Sequence, residues 1–379
     1  MSKYHIANPG ELFDKFTRLG EKELTLIRQS IAAPDAVKQE RTWTTTEAVE
    51  LVGRSAPWVR KNSQHIEPDE DGKKRFTLNA INQLREVAGT LYKRPPRSKA
   101  AIIAVANFKG GSAKTTTCVH LSQYLAIQGL KVLVVDNDPQ ASATMNMGLV
   151  NPDLDLDEES VPVTAILNGD VERYAELILP TYFPNVDIVP SNLALGDLDL
   201  SLPNESMNNV ETAGPAGGRL RNALHHLSDR YDVIIIDCPP NMGAISTNTL
   251  VAANMLIIPV PPYAYDRASF VMLTSSLSNL FNATGMALDY FRILISKHPK
   301  TATAVNVQEA RLRQLYGEYV LVNCMYQTTE VEKASALMSS VYDQMKPLNK
   351  RETYQRALDT LNAVHDEIFT DLKAIWEES

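Results

Sequence analysis

The sequence predicts an α/β protein: a parallel sheet covered by helices on both faces, preceded by an N-terminal helix and a winged helix-turn-helix module. Three observations carry that prediction. Seven short apolar runs, nearly unbroken and β-branched, recur between residues 101 and 324 with helix-length segments between them. Ahead of them, residues 45–61 read as helix, Gly-containing turn, helix. A charged, proline-bearing stretch, YKRPPRSK at 92–99, stands between the two textures.

The whole-chain numbers bound the answer. A length of 379 residues suggests two or three domains, and 44% hydrophobic with 22% charged residues describes a globular chain. No apolar run approaches the roughly 18 residues that span a bilayer, and MSKYHIANPGELFDKF lacks the apolar core of a signal peptide, so a cytoplasmic protein is expected. Cys118, Cys238 and Cys324 are far apart and form no CxxC pair, and the seven histidines form no HExxH. Buried thiols are expected, and a transition-metal site is not. Net charge is −8, yet residues 41–99 hold twelve Lys/Arg against seven Asp/Glu. A basic segment in an acidic chain points to nucleic acid better than the total does.

Residues 11–32 space Leu12, Phe13, Phe16, Leu19, Leu24, Ile27 and Ile31 as an amphipathic helix interrupted near Gly20. Alone it buries nothing, so segment 1–40 is expected to contact another domain or another subunit. In 41–91, Thr45 or Thr46 can cap a first short helix, Gly53-Arg54 makes the turn, and Ser55 caps a second helix through Trp58 and Lys61. That second helix would present Ser55, Arg60 and Lys61 to a DNA groove, with Lys73, Lys74 and Arg75 on a basic wing. A small helical domain with a solvated basic face is the alternative. The linker 92–99 is expected to stay wet.

The strands of 100–345 are expected at AIIAVAN (101–107), KVLVVD (131–136), VDIVP (186–190), DVIIID (232–237), NMLIIPV (254–260), FRILIS (291–296) and YVLVNC (319–324). LPNESMNNVETAGPAGG (202–218) reads as the mobile loop. In 346–379, Leu358, Leu361, Val364, Ile368, Leu372 and Ile375 make one apolar helix face. From Glu352 to the end only Arg356 and Lys373 oppose seven acids, so the helix should pack on the fold or on a dimer and not on anionic lipid.

The chemistry concentrates in NFKGGSAKTTT, 107–117. A phosphate-binding loop asks for Gly, four residues, then Gly-Lys-Ser/Thr, and here Phe108 and Ala113 occupy the glycine positions. Context outweighs the count. A strand precedes the loop and TTTCVHLSQYLAIQG forms a helix after it, so Lys114 and Thr115 sit at a helix N-terminus that attracts phosphate. Gly110 and Gly111 admit close backbone approach. If the backbone at Ala113 needs φ > 0, alanine costs about 1–2 kcal/mol there. Asp136 and Asp138 end one strand, two apart and so on one face, and Asp237 ends another on the same sheet edge. A basic cradle, a hydroxyl and carboxylates are the parts of a magnesium–phosphate site.

KGGSAKTT, VLVVDNDPQASAT, VDIVPSNLAL and YDVIIIDCPP together resemble the ParA/MinD branch of P-loop ATPases. Within it they are similar to ParA-type partition ATPases of the long form with an N-terminal helix-turn-helix. The resemblance implies ATP and Mg2+ as cofactors. It makes Lys109 the signature lysine that reaches across an ATP-sandwich dimer, and Lys114 the phosphate-loop lysine, in a loop of Gly110, Gly111, Ser112, Ala113, Thr115 and Thr116. It makes Thr115 the magnesium-ligating hydroxyl, Asp138 the carboxylate orienting the attacking water, Asp136 its companion near the metal, and Asp237 the second-shell magnesium carboxylate. Slow hydrolysis stimulated by a ParB-type partner, homodimers coating nonspecific DNA on the nucleoid, and autorepression through an operator are implied too. Lys297, Lys300, Arg311, Arg313, Lys333, Lys350 and Arg351 are candidates for the nonspecific DNA surface. Cluster cysteines for an iron protein are missing. A repressor on a vestigial ATPase fold and a MinD-like positioning ATPase are the alternatives.

Overall fold

The computed structural model describes residues 40–149, 152–205, 216–300 and 303–378, and before them residues 10, 11, 14–16, 18–20, 22, 26 and 38. Two compact units divide the chain, Met1–Gln39 and Glu40–Ser379. In the first, the described residues between 10 and 26 are helical, Gly20 among them, so no break falls at Gly20 itself. The other predicted face positions, Leu12, Phe13, Leu24, Ile27 and Ile31, lie outside the described residues. So does most of the expected mobile loop, at 206–215.

The second unit opens with β1 (Trp43–Thr44), α1 (Thr45–Val52), α2 (Ala56–Asn62), β2 (Arg75–Phe76) and α3 (Leu78–Ala88). The cap of α1 is Thr44, one residue before the expected position. Its hydroxyl accepts from Glu47 N–H while Glu47 reaches back to Thr44 N–H, a reciprocal capping box. Gly53 closes α1 at φ +66°, the left-handed turn that glycine makes without strain. Ser55 holds the N-cap position of α2, but its side chain makes no capping bond. β1 and β2 pair antiparallel, Trp43 opposite Phe76, which joins the two ends of this segment.

The linker is not a wet spacer. Arg94 binds Asp232 at 3.2 Å and donates to the Ser228 and Ser98 carbonyls. The Tyr92 ring stands edge-on to Phe369 and stacks on Trp376, whose indole N–H donates to Lys99 O at 2.9 Å. Leu91 Cδ1 lies 2.5 Å from where a Cβ on Gly129 would stand, and Gly129 adopts φ +103°, which favours glycine. The reason is composition: just ahead of its cations and prolines stand Leu91 and Tyr92, which find apolar cover.

Seven strands form the main sheet in the order β5-β6-β4-β7-β3-β8-β9. They are β3 (Ala101–Val105), β4 (Val132–Asp136), β5 (Leu179–Pro180), β6 (Val186–Val189), β7 (Val233–Asp237), β8 (Met255–Val260) and β9 (Tyr290–Ile295). All pairs are parallel except the short β5 on β6. Alternate residues of β3, β4 and β7 feed two cores. Ile103, Val134 and Ile235 face α4 (Lys114–Ile127) and the C-terminal helix, while Ile102, Val135 and Ile236 face the other layer.

Six of the expected runs are strands; YVLVNC is not. Only Val320 bridges the sheet, against Ile293. Arg313 takes the carbonyls of Leu321 and Val322 at 2.8 and 2.9 Å, and Glu367 takes the N–H groups of Val322 and Asn323. Side chains satisfy the groups a ladder would have used, and Val322 points to solvent. The C-terminal helix, Arg351–Glu378, buries Leu361, Val364, Ile368 and Leu372, with Leu358 and Ile375 half-buried beside them, together with Phe369, Trp376 and His365. Its apolar face is covered within the unit.

Candidate nucleotide-binding site

The loop between β3 and α4 is held from below. Asn107 donates to Pro259 O at 2.7 Å and accepts Lys109 N–H at 3.0 Å, fixing the exit from the strand. Ala113 adopts φ 75° and ψ 27°, the left-handed region, so the strain anticipated for a side chain there is present. Thr117 N–H and hydroxyl both donate to the Ala113 carbonyl, at 2.9 and 2.7 Å, and hold it so. Ala141 and Lys297, at φ 53° and 50°, flank the same cavity. Three non-glycine residues in or next to the lining of one cavity carry backbone strain.

That cavity, about 410 Å³, is lined by Gly110, Gly111, Ala113, Lys114, Thr115 and Thr116 on one side and by Asp138 and Gln140 on another. Lys114, though buried, reaches the Lys109 carbonyl with its ammonium at 3.3 Å. Asp138 stands beyond the end of β4; Gln140 N–H donates to it at 3.0 Å, and Ser191 Oγ anchors its carbonyl at 2.8 Å. Burial raises the Asp138 pKa, with the Gln140 N–H and the Lys114 charge opposing. Ser112 is buried beneath the loop and its hydroxyl has no partner. Lys109 does not line the cavity.

Asp136 and Asp138 do not share a face. Asp136 is the last residue of β4, opposite Asp237 of β7 in register, and both are fully buried. Thr144 N–H and hydroxyl each donate to Asp136 at 2.7 Å. Thr115 Oγ1 donates to Asp237 Oδ2 at 2.6 Å. Burial holds both carboxyls above their usual range; the Asp136 charge adds to the shift of Asp237, while the Thr144 hydrogen bonds oppose that of Asp136. Asp138 has left the strand, where period-two reasoning no longer applies.

These residues fit a magnesium ion. A hydroxyl that lines the cavity, backed by a buried carboxylate, is a hard-oxygen donor set. Among the described residues no cluster of three His, Cys, Asp or Glu could cage a metal. Magnesium keeps waters and phosphate oxygens and needs no such cage.

Of the residues expected at DNA, Ser55, Arg60, Lys61 and Lys73 face solvent. Lys74 instead donates to the Ser63 carbonyl at 2.6 Å, and Arg75 pairs with Asp69 at 3.3 Å, both inside the module. On the larger surface, Arg313 is committed to Glu309 and backbone carbonyls, and Lys297 stands over the phosphate loop. Lys300, Arg311, Lys333, Lys350 and Arg351 are exposed.

Residues 100–289 match the family model described as an AAA domain. Protein SopA of Escherichia coli K12 is 34% identical over 373 residues, covering 94% of this chain and 95% of its own. The chain belongs to the ParA-type partition ATPases. A solved structure titled Partition Protein shares its fold with a TM-score of 0.68, at 20% identity, covering 93% of this chain and 98% of that one. Cobyrinic acid a,c-diamide synthase from Mycobacterium smegmatis, with bound ADP and magnesium, is 28% identical. Its TM-score is 0.53, over 63% of this chain and 90% of its own. Gln140 and Asn146 line the cavity too and escaped the sequence reading, and so does Lys297, which the sequence assigned to the DNA surface. Lys297 follows the carboxyl end of β9, the signal that found Asp138 at β4.

Proposed function

We propose that this partition ATPase hydrolyses ATP slowly with Mg2+, dimerises around ATP, binds nonspecific DNA in that state and is stimulated by a ParB-type partner. One observation carries the chemistry: Lys114 at the start of α4 and Asp138 beyond β4 line the same cavity. Lys114 counters the β- and γ-phosphate charge, and the N–H groups of 110–116 cradle the phosphates. Asp138, made more basic by burial, orients the attacking water. Lys109, outside the lining, extends toward a partner's phosphates. Thr115 and Asp237, with Asp136 beside them, hold Mg2+, which when bound neutralises charge developing on the transferred phosphoryl group.

The module of 40–91 supports operator recognition and autorepression: α2 offers Ser55, Arg60 and Lys61 to a groove, and the wing offers Lys73. Dimerisation brings together Lys300, Arg311, Lys333, Lys350 and Arg351 of two copies against DNA phosphates. No helix among the described residues is long and apolar enough to cross a membrane. A cytoplasmic, nucleoid-bound protein follows from this reading.

Calorimetric titration and turnover assays test the site. Lys114→Ala should lose at least about a hundredfold in ATP affinity. Asp138→Ala should bind ATP within a few-fold of wild type and turn over about 10²–10³-fold more slowly. Wild-type ATP affinity in Lys114→Ala overturns the assignment.

A further inference from the structure

We propose that Lys297 is a third phosphate-contacting lysine, supplied from within the same chain, that binds the non-reacting end of the nucleotide. Three observations converge on it. Its ammonium lies 3.9 Å from where a Cβ on Gly111 would stand, so it covers the middle of the loop. Among the described residues that ammonium has no hydrogen-bond or ion-pair partner, although it lines the cavity with Lys114 and Asp138. Its backbone is held in the left-handed region, φ 50°, between two anchored neighbours. Ser296 Oγ donates to Ser112 O at 2.9 Å, and His298 N–H donates to Met325 O at 3.1 Å. A strained non-glycine residue persists where its surroundings over-determine it, and here the strain turns a cation over the loop.

Strand order decides which end of the nucleotide it meets. In the run β4-β7-β3-β8-β9, Asp138 follows β4 on one side of the loop strand β3, and Lys297 follows β9 on the other. The γ-phosphate and its water belong beside Asp138. Lys297 therefore faces the part of the nucleotide common to ATP and ADP. An interaction made equally in ground and transition states strengthens binding without accelerating the chemical step.

This inference rests on reading the cavity as the nucleotide site. Lys297→Ala should weaken ATP and ADP by the same factor, about five- to tenfold in calorimetry, and lower kcat/KM by that factor while kcat changes less than about twofold. Lys297→Gly relieves the backbone yet lacks the cation, so it should match the alanine variant; Lys297→Arg should restore most of the affinity. Recovery in the glycine variant would mean that strain and not charge was at issue. Weakened ATP with unchanged ADP would move Lys297 to the γ-phosphate and refute the assignment. Unchanged affinity for both, with loss of operator-free DNA binding, would return Lys297 to the DNA surface. Lys114→Ala, run alongside, separates the failures: if it too binds normally, the nucleotide site itself is wrong.

Discussion

Arg85 offers the sharpest test of how the N-terminal module is attached. The residue is 5% exposed, and its guanidinium leaves α3 and enters the junction with the ATPase core. Nε donates to Leu51 O at 2.7 Å, and Nη1 donates to Ile127 O at the carboxyl end of α4. Burial brings its pKa down to about 10, so it is still charged at neutral pH, where the dipole of α4 favours a cation. Arg85→Met keeps an apolar stem but orphans two buried carbonyls, at about 1–3 kcal/mol each. Relief of the buried charge offsets part of this, leaving a net loss of about 3 kcal/mol. With a urea dependence of about 2–3 kcal/mol per molar, the midpoint should fall by about 1 M. Trp43 and Trp58 lie in the module and Trp376 on the C-terminal helix against the linker, so tryptophan fluorescence reports the junction. Circular dichroism reports the whole. In wild type the two transitions should coincide; in Arg85→Met the fluorescence transition should come first. A fluorescence midpoint unmoved by the substitution would refute the idea that Arg85 ties the module to α4.

Ala113→Gly should raise thermal stability, because glycine adopts φ 75° without the cost of about 1 kcal/mol that alanine carries, less the greater freedom of glycine in the unfolded chain. A melting temperature below wild type would show that the methyl group packs usefully. His365 is fully buried, and its pKa lies well below the usual value, by burial first and then by neighbouring His120. Its native form is neutral while the unfolded chain takes up a proton near pH 6.5, so its stability contribution is intact above about 6.5 and is lost as pH falls below it. One unit lower, at about pH 5.5, the loss is about 1.4 kcal/mol. Melting of His365→Phe should therefore fall less than wild type between about pH 7.5 and 5.5, and an identical fall would show that another group titrates.

The parallel core was legible because strands buried on both faces carry their burial in composition: AIIAV, VLVVD and VIIID leave little other reading. YVLVNC had the same composition and failed, since its pairing groups are taken by Arg313 of the helix just before it and by Glu367, remote in sequence. The loop was legible despite Phe108 and Ala113 because strand and helix flank it. What composition could not carry was the conformation of Ala113 and the direction of Lys297, both set by backbone dihedrals anchored from neighbouring strands.

The linker is the most instructive miss. Pro95 and Pro96 signalled a spacer, and a spacer would let the N-terminal module and the ATPase act independently. The structure instead runs one core from Val52, Ile81 and Leu84 of the module through Leu125 and Ile127 of α4 to Leu361 and Phe369 of the C-terminal helix. Arg41 adds a bond to Tyr342 O at 2.8 Å. On the other side of α4, His120 accepts the Val341 N–H at 3.2 Å, while its second ring nitrogen meets Thr116 O at 2.8 Å. One helix therefore lines the candidate site's cavity at its start, touches the 340–343 segment along its length and meets the module at its end. Well-packed cores shift between discrete arrangements rather than deform continuously. A displacement of α4 on nucleotide binding must then be met by the module as a rigid movement, or opposed by it.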